Sequence, residues 1–363
     1  MNNIDLKNPQ KILFFGELPP KTVHGTSISN SINLAMLARF YDLHIIEEYS
    51  ELKFHEKFTF SKLSDFVKRL KLHFMKCVRI TFHKFYGVVY LSTFGIIKNL
   101  ILVIIFKLFN PFGEVILHFH RSDFPIFIQS QLNRFLFFIL DLLVDKYIIL
   151  SDLQKNQLGK IDGDKIHVLP NTIEKEYLEK DLIVAEKQSK FDLSIIYVGN
   201  FIREKGVTEL INAVNILNLN GKYNIALNLF GNYTSPLFKK ELELLVCNSR
   251  NIIFHGPIVG IDKFNKIYNS DVVALPSYNE GLPLILLESL HVGTPILISK
   301  VGYIEDALGL DYPLYCEPRS VNSIINKIEN IIESKNLNID FKSIYSRFSN
   351  NSHLQTLVKI FEA

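Results

Sequence analysis

Cysteine is scarce in this chain: Cys77, Cys247 and Cys316 are the only three in 363 residues, odd in number and far apart. That argues against a disulfide framework and against a zinc knuckle, and points to a reducing compartment. Excess charge of one sign is also missing. Forty Lys and Arg face 37 Asp and Glu, a formal net charge of +3 that gives no support to a nucleic-acid reader with a strongly basic face. The N-terminus MNNIDLKNPQKILFFGELPP lacks the charged start, apolar core and small-residue cleavage site of a secretory signal, so a cytoplasmic protein is expected. No unbroken apolar run reaches the roughly 20 residues of a membrane span. The nearest, Tyr86 to Phe109, is interrupted by Gly87, Ser92, Gly95, Lys98 and Asn99, and reads as a strand, Val88 to Ser92, followed by a mostly buried helix from about Gly95 to Phe109. Low-complexity tracts and short-period repeats are absent from the sequence. No GxGxxG follows the first strand, which disfavours a nicotinamide dehydrogenase.

What is present is apolar sequence in alternating patterns. At 48% hydrophobic residues the chain is not disordered, and its length suffices for two domains with full cores. Strand-like runs at Lys11–Phe15, Leu43–Glu47, Val88–Ser92, Val115–His120, Tyr147–Leu150 and Ile166–Leu169 are separated by helical ones. The rhythm repeats at Leu193–Val198, Ala226–Phe230, Ile252–His255, Val272–Leu275 and Ile296–Ser299. Such alternation predicts an α/β protein with parallel sheets covered by helices on both faces. Thr172 to Lys190 is rich in Glu and Lys and follows the turn-like Pro170-Asn171. The boundary is therefore placed there, giving domains over residues 1–175 and 190–340, and Phe341 to Phe361 reads as helical.

The most informative stretch is Asp271 to Lys300, DVVALPSYNEGLPLILLESLHVGTPILISK. A short apolar strand ends at Pro276, and Ser277 to Gly281 is loop chemistry at its carboxyl end, where open α/β sheets bind ligands. Pro283 suits the first turn of the helix that follows, Gly281 lets backbone approach a ligand, and the helix start can hold an anion. Glu280 lies before the helix and Glu288 about two turns along it, so the pair can grip two parts of an elongated, hydroxyl-rich ligand. Taken alone, Glu280 could equally act as an electrostatic cap and Glu288 as a solvated surface acid. The segment continues with Gly293, Pro295, the strand Ile296–Ser299 and a second glycine turn, Val301-Gly302-Tyr303-Ile304-Glu305. Earlier, Gly199-Asn200-Phe201-Ile202-Arg203-Glu204-Lys205-Gly206 follows a strand and delivers two cations to a helix start, a combination suited to phosphate. An exposed, solvated turn is the bland reading of the same residues.

Together these segments resemble the donor-binding signature of retaining glycosyltransferases of family 4, which have the GT-B fold. The resemblance implies two Rossmann-like doubly wound parallel-sheet domains with a cleft between them, an N-terminal acceptor domain and a C-terminal nucleotide-sugar domain. It also implies that a C-terminal helix over residues 342–363 packs back on the first domain. Arg203 and Lys205 would stabilise the departing diphosphate, Glu280 would hold sugar hydroxyls and Glu288 the ribose. The implied donor site takes in Gly25, Thr26, Gly199, Gly231, Pro257, Ile258, Gly281, Leu282 and Pro283, with backbone near Gly231-Asn232 and Gly256-Pro257-Ile258 receiving the base. In the first loop, Gly16-Glu17-Leu18-Pro19-Pro20 and His24-Gly25-Thr26-Ser27, Gly25 permits close backbone approach and Thr26 or Ser27 can cap the helix. The family often shows two adjacent glycines here, where this chain has His24-Gly25.

His118 and His120 stand two apart at a strand end and share a face in extended geometry. Without a nearby acid or cysteine in sequence they make a weak metal site, and packed strand-end residues would look the same. The stretch VILHFHRSDF resembles the family segment that places a histidine near the transferred sugar, and His120 takes that role with His118 second. The chemistry implied is catalysis by His120, Arg203, Lys205 and Glu280, with no metal and no cofactor, the nucleotide-sugar (UDP-sugar favoured) being a substrate. The acceptor would be a hydroxyl of a glycan or lipid-linked oligosaccharide in bacterial surface polysaccharide biosynthesis, and no nucleic-acid partner is expected. A basic amphipathic helix near residues 61–85, with Leu63, Phe66, Val67, Leu70, Phe74 and Phe82 on one face and Lys62, Lys68, Arg69, Lys76 and Arg79 mostly opposite, could lie on the inner face of the cytoplasmic membrane or pack on the first sheet. Two other readings are a sugar-nucleotide epimerase of the same fold and a non-catalytic subunit binding nucleotide-sugar or glycan.

Overall fold

The structure is a computed structural model that describes residues 9–48, 86–93, 95–120, 130–158, 161–174, 176, 182–183, 191–247, 249–334 and 337–362. The basic helix expected near residues 61–85 lies outside the described residues. The chain divides into two compact units, Met1–Pro170 with His353–Ala363, and Asn171–Ser352.

The first unit holds β1 (Lys11–Gly16), β2 (Asp42–Glu47), β3 (Val88–Ser92), β4 (Glu114–His118), β5 (Lys146–Ile149) and β6 (Ile166–Val168), all parallel, in the order β2-β1-β3-β4-β5-β6. Because successive strand side chains alternate between faces, the sheet has two cores. Leu13, Phe15, Val89 and Leu91 pack with Val103, Phe106 and Leu140 on one face. Ile12, Phe14, Val88 and Tyr90 pack on the other with Leu34 and Leu37 of the helix Gly25–Leu37 and with Leu357, Ile360 and Phe361 of the last helix, Asn350–Glu362. Burial on both faces explains why β3 and β5 read as continuous apolar runs.

The second unit repeats the plan with β7 (Leu193–Val198), β8 (Ile225–Phe230), β9 (Ile252–His255), β10 (Val272–Leu275), β11 (Ile296–Ser299) and β12 (Tyr315–Cys316), parallel, in the order β12-β11-β10-β7-β8-β9. In each sheet the chain steps first to one side of the starting strand and then to the other. The switch falls between β1 and β3 in the first unit and between β7 and β10 in the second, the place at the carboxyl ends of the strands where open α/β sheets bind ligands.

Several expectations need correction. The fourth strand stops at His118, so His120 lies beyond it and the two histidines do not share one extended strand. The helix after β10 begins at Leu284 with Pro283 outside it in extended geometry (φ −70°, ψ 136°), which makes Glu288 its fifth residue, a little over one turn along. The first helix is capped by His24, not by Thr26 or Ser27. The His24 ring accepts from the Ser27 N–H at 3.3 Å while the Ser27 hydroxyl accepts from the His24 N–H at 3.0 Å, a capping box with imidazole in place of the usual hydroxyl. The C-terminal segment is two helices, Phe341–Ser346 in the second unit and Asn350–Glu362, which enters the first unit at His353.

Candidate functional site

In the second unit the loops after β7 and β10 are locked together by small residues. Gly206 sits in the left-handed region (φ 67°) and a Cβ there would stand 2.0 Å from the Pro276 carbonyl oxygen, so only glycine admits this approach. The Tyr278 N–H donates to the Glu204 carbonyl at 2.7 Å across the same gap. Gly302 closes the floor from β11: its φ is 60°, and a Cβ would meet the Glu280 carbonyl at 1.6 Å. The second glycine turn noted in the sequence is thus what lets the Glu280 loop lie down.

On that support Glu280 is buried, and its Oε1 accepts from the Lys205 ammonium at 2.5 Å and from the Ser277 hydroxyl at 2.7 Å. Lys205 ends the short 3-10 turn Arg203–Lys205 just before the helix Val207–Leu219. A buried carboxylate needs such partners, since removing it from water unpaired costs several kcal/mol, about 3–5 in measured cases. Glu288 is buried as well and pairs with the partly exposed Lys263 of the helix Gly260–Tyr268. Neither acid is the solvated surface group of the bland reading. Sequence reasoning does not single out Lys263 or Ser277: a helical lysine outside the motifs carries no local signal, and a serine after a strand is ordinary loop chemistry.

Arg203 is placed differently. It is exposed, pairs with Glu241 and stacks over Phe238 at 5.0 Å, so the two cations of the turn engage different partners. It still lies close enough to Tyr278 to favour phenolate there, as does Arg319, whose guanidinium stands 4.7 Å over the ring. Burial and the 2.6 Å hydrogen bond to Glu209 outweigh both, and the phenol is pushed up to about 12. Arg319 holds a φ of 61°, the one positive value outside glycine among the described residues. At the ends of β7 and β8, Gly199 and Gly231 meet: a Cβ on Gly231 would stand 1.9 Å from the Gly199 carbonyl. Pro257, exposed, and Ile258, partly buried, follow β9 at the same carboxyl edge. Leu282 is buried and its carbonyl accepts from the Asn171 amide at 2.7 Å, while Gly281 receives the Tyr303 N–H at 3.3 Å.

The sequence-derived residues of the first unit gather at its own switch point. His24, beside the exposed Gly25 and the partly buried Thr26, bonds Glu17 at 2.6 Å through Nε2. His120 lies against His118 with ring centroids 3.8 Å apart and planes tilted by 32°, and among the described residues neither of its nitrogens has a hydrogen-bond partner although both are shut off from solvent. Burial first, and the neighbouring His24 second, push its pKa down to about 3, so at neutral pH it is a neutral imidazole. Among the described residues no group of three His, Cys, Asp or Glu is arranged to hold a metal, and no helix is long and apolar enough to cross a membrane.

Residues 179–348 match the family model for glycosyl transferases group 1. The second unit carries a group 1 glycosyltransferase domain. Among similar proteins, an uncharacterized glycosyltransferase of Methanocaldococcus jannaschii is 27% identical over 256 residues, 68% of each chain. The capsular polysaccharide biosynthesis glycosyltransferase CapH of Staphylococcus aureus is 24% identical over 245 residues, 64% of each chain. The crystal structure of HepE from Anabaena in complex with UDP superposes with a TM-score of 0.72 at 15% identity, covering 97% of this chain and 100% of that one. With its two parallel six-stranded sheets, the chain has the GT-B fold. The Lys205–Glu280–Ser277 cluster at the β7/β10 switch lies inside the matched group 1 segment.

Proposed function

We propose that this group 1 glycosyltransferase moves a sugar, with retention of anomeric configuration, from a UDP-sugar to a hydroxyl of a glycan or lipid-linked oligosaccharide during bacterial surface polysaccharide synthesis. The observation that carries the reading is the pair of buried, lysine-bound carboxylates, Glu280 and Glu288, set on either side of a helix start at a topological switch point. A carboxylate only accepts hydrogen bonds, and the hydroxyls of a sugar and a ribose can each donate one to it. UDP in the HepE complex and the capsular role in the name of CapH support the donor and the setting.

On this reading Lys205 and Arg203 bind the diphosphate, Glu288 the ribose, and Glu280 the sugar hydroxyls, with His120 beside the sugar. The bond from the anomeric carbon to the phosphate oxygen breaks, the acceptor oxygen bonds to that carbon from the same face, and the acceptor proton passes to the departing phosphate. Fixed cations aimed at the charge that develops on the leaving group lower the barrier. The two cations and the start of the helix Leu284–Val292 supply that potential without a metal. Before the donor binds, the Lys205–Glu280 pair keeps both charges compensated, and on binding the diphosphate takes the one and hydroxyls the other. Calorimetric titration with UDP, GDP and ADP, in the absence of divalent metal, tests the assignment. One nucleotide should bind, and Arg203→Ala should weaken it at least about tenfold, the scale of one charge-assisted pair. Absence of binding by all three, with or without metal, would remove the donor site.

A further inference from the structure

A continuous buried hydrogen-bond chain runs through the first unit to the paired histidines His118 and His120. His353 Nδ1 lies 2.8 Å from the Pro170 carbonyl and its Nε2 lies 2.7 Å from the Asn33 amide. The other end of that amide is 3.1 Å from the Tyr90 hydroxyl, which is 2.7 Å from His118 Nδ1. Asn33 and Tyr90 are inaccessible to solvent, and His118 and His353 nearly so. Among the described residues His118 Nε2 has no partner, and the His118 ring lies against His120.

Proton bookkeeping decides how this chain is polarised. A carbonyl oxygen only accepts, so His353 must carry a proton on Nδ1. With the Asn33 oxygen toward His353 and its nitrogen toward Tyr90, His353 would need a second N–H and a positive charge. Burial opposes that charge and pushes the imidazole down to about 4, the Pro170 bond only partly countering it. The two ends of an amide are interchangeable in shape, and the reversed orientation satisfies every group. Asn33 then donates to His353 Nε2 and accepts from the Tyr90 O–H. The Tyr90 oxygen, its proton spent, accepts from His118 Nδ1–H. His118 is left with a lone pair on Nε2.

We infer that His353, Asn33 and Tyr90 are positioning residues that fix His118 as its Nδ1–H tautomer, so that the pair His118–His120 presents a hydrogen-bond acceptor, His118 Nε2, to a ligand hydroxyl. The inference rests on the reading above in one respect, that the hydroxyl belongs to a sugar. The polarity is imposed from the last helix, which also explains why a histidine is buried at the point where the chain re-enters the first unit.

The test reads the tautomer directly, by nitrogen-15 and proton correlation spectra of protein labelled in histidine, with each imidazole assigned by its His→Gln substitution. His118 should show a proton on Nδ1 and none on Nε2 at neutral pH, and His353 the same. Tyr90→Phe keeps the ring packing but removes the acceptor, and should move the His118 proton to Nε2. Asn33→Asp still accepts from Tyr90, so it should leave His118 unchanged while His353 gains a second proton to meet the carboxylate. A His118 proton on Nε2 in the wild type, or one on Nδ1 that persists in Tyr90→Phe, overturns the relay. Should Tyr90→Phe not fold, the wild type and Asn33→Asp decide: a His118 tautomer that changes in Asn33→Asp also overturns it. No donor is used here, so this outcome is separate from the calorimetric test of the donor site.

Discussion

Replacing Lys205 with Met removes the ammonium that compensates buried Glu280 and leaves the carboxylate with only the Ser277 hydroxyl. Breaking one side of a fully buried ion pair costs about 3–5 kcal/mol. Here the Lys205 side chain is 28% exposed against 8% for Glu280, and the serine bond survives, so about 2–3 kcal/mol is expected. For a unit of this size that is a fall of roughly 5–10 °C in the melting transition. Glu280→Gln keeps a partner for Ser277 and removes the charge, so the double variant Lys205→Met/Glu280→Gln should lie within about 1 kcal/mol of Glu280→Gln alone, a coupling of about 2 kcal/mol. Differential scanning calorimetry of the ligand-free protein measures all three, with the transition of the second unit followed separately if the units melt apart. If Lys205→Met melts within about 1 °C of wild type, or if the penalties simply add, Glu280 is not held as the geometry requires.

Arg203→Ala should behave in the opposite way: its exposed pair with Glu241 contributes no more than about 0.5 kcal/mol, so a melting scan will barely move while nucleotide affinity drops. Gly302→Ala sets a Cβ 1.6 Å from the Glu280 carbonyl at a positive φ and should cost more than about 3 kcal/mol or prevent soluble expression, whereas Gly256→Ala meets nothing within 4 Å and should be neutral within about 0.5 kcal/mol in the same scan. Acid stability follows from the buried histidines His118, His120 and His353, all lowered from 6.5, the last two to about 3 and about 4. Below pH 6.5 the unfolded chain takes protons that the folded one refuses, so stability falls as pH drops from about 6.5 toward 4, by up to about 2 kcal/mol per histidine at pH 5. Urea midpoints between pH 7 and 5 should flatten in His353→Gln, and an unchanged slope would mean that His353 is already protonated in the folded state.

The strands of the second unit were legible because a parallel sheet buried on both faces leaves short, unbroken apolar runs, and β7, β9, β10 and β11 begin and end where the pattern placed them. The two-residue β12 was not, since Tyr315-Cys316 is too short to show a period. At the candidate site of the second unit the carboxylates stand out in the pattern but their counter-ions do not. Glu280 and Glu288 sit in a recognisable strand, loop and helix context, whereas Lys263 reaches Glu288 from 25 residues away and Lys205 reaches Glu280 from 75. Contacts of that separation depend on sheet order, and the order β10-β7 is what brings the two loops together. The same limit applies more severely to the histidines. His118 and His120 were visible as a pair, but Asn33 and Tyr90 look like ordinary helix and strand residues, and His353 lies more than 200 positions further along the chain. What a sequence pattern marks is the residue that must meet the ligand. What sets that residue's charge or tautomer is chosen by packing, and any buried side chain of suitable polarity that the fold delivers to the spot can serve, so it leaves no spacing to recognise.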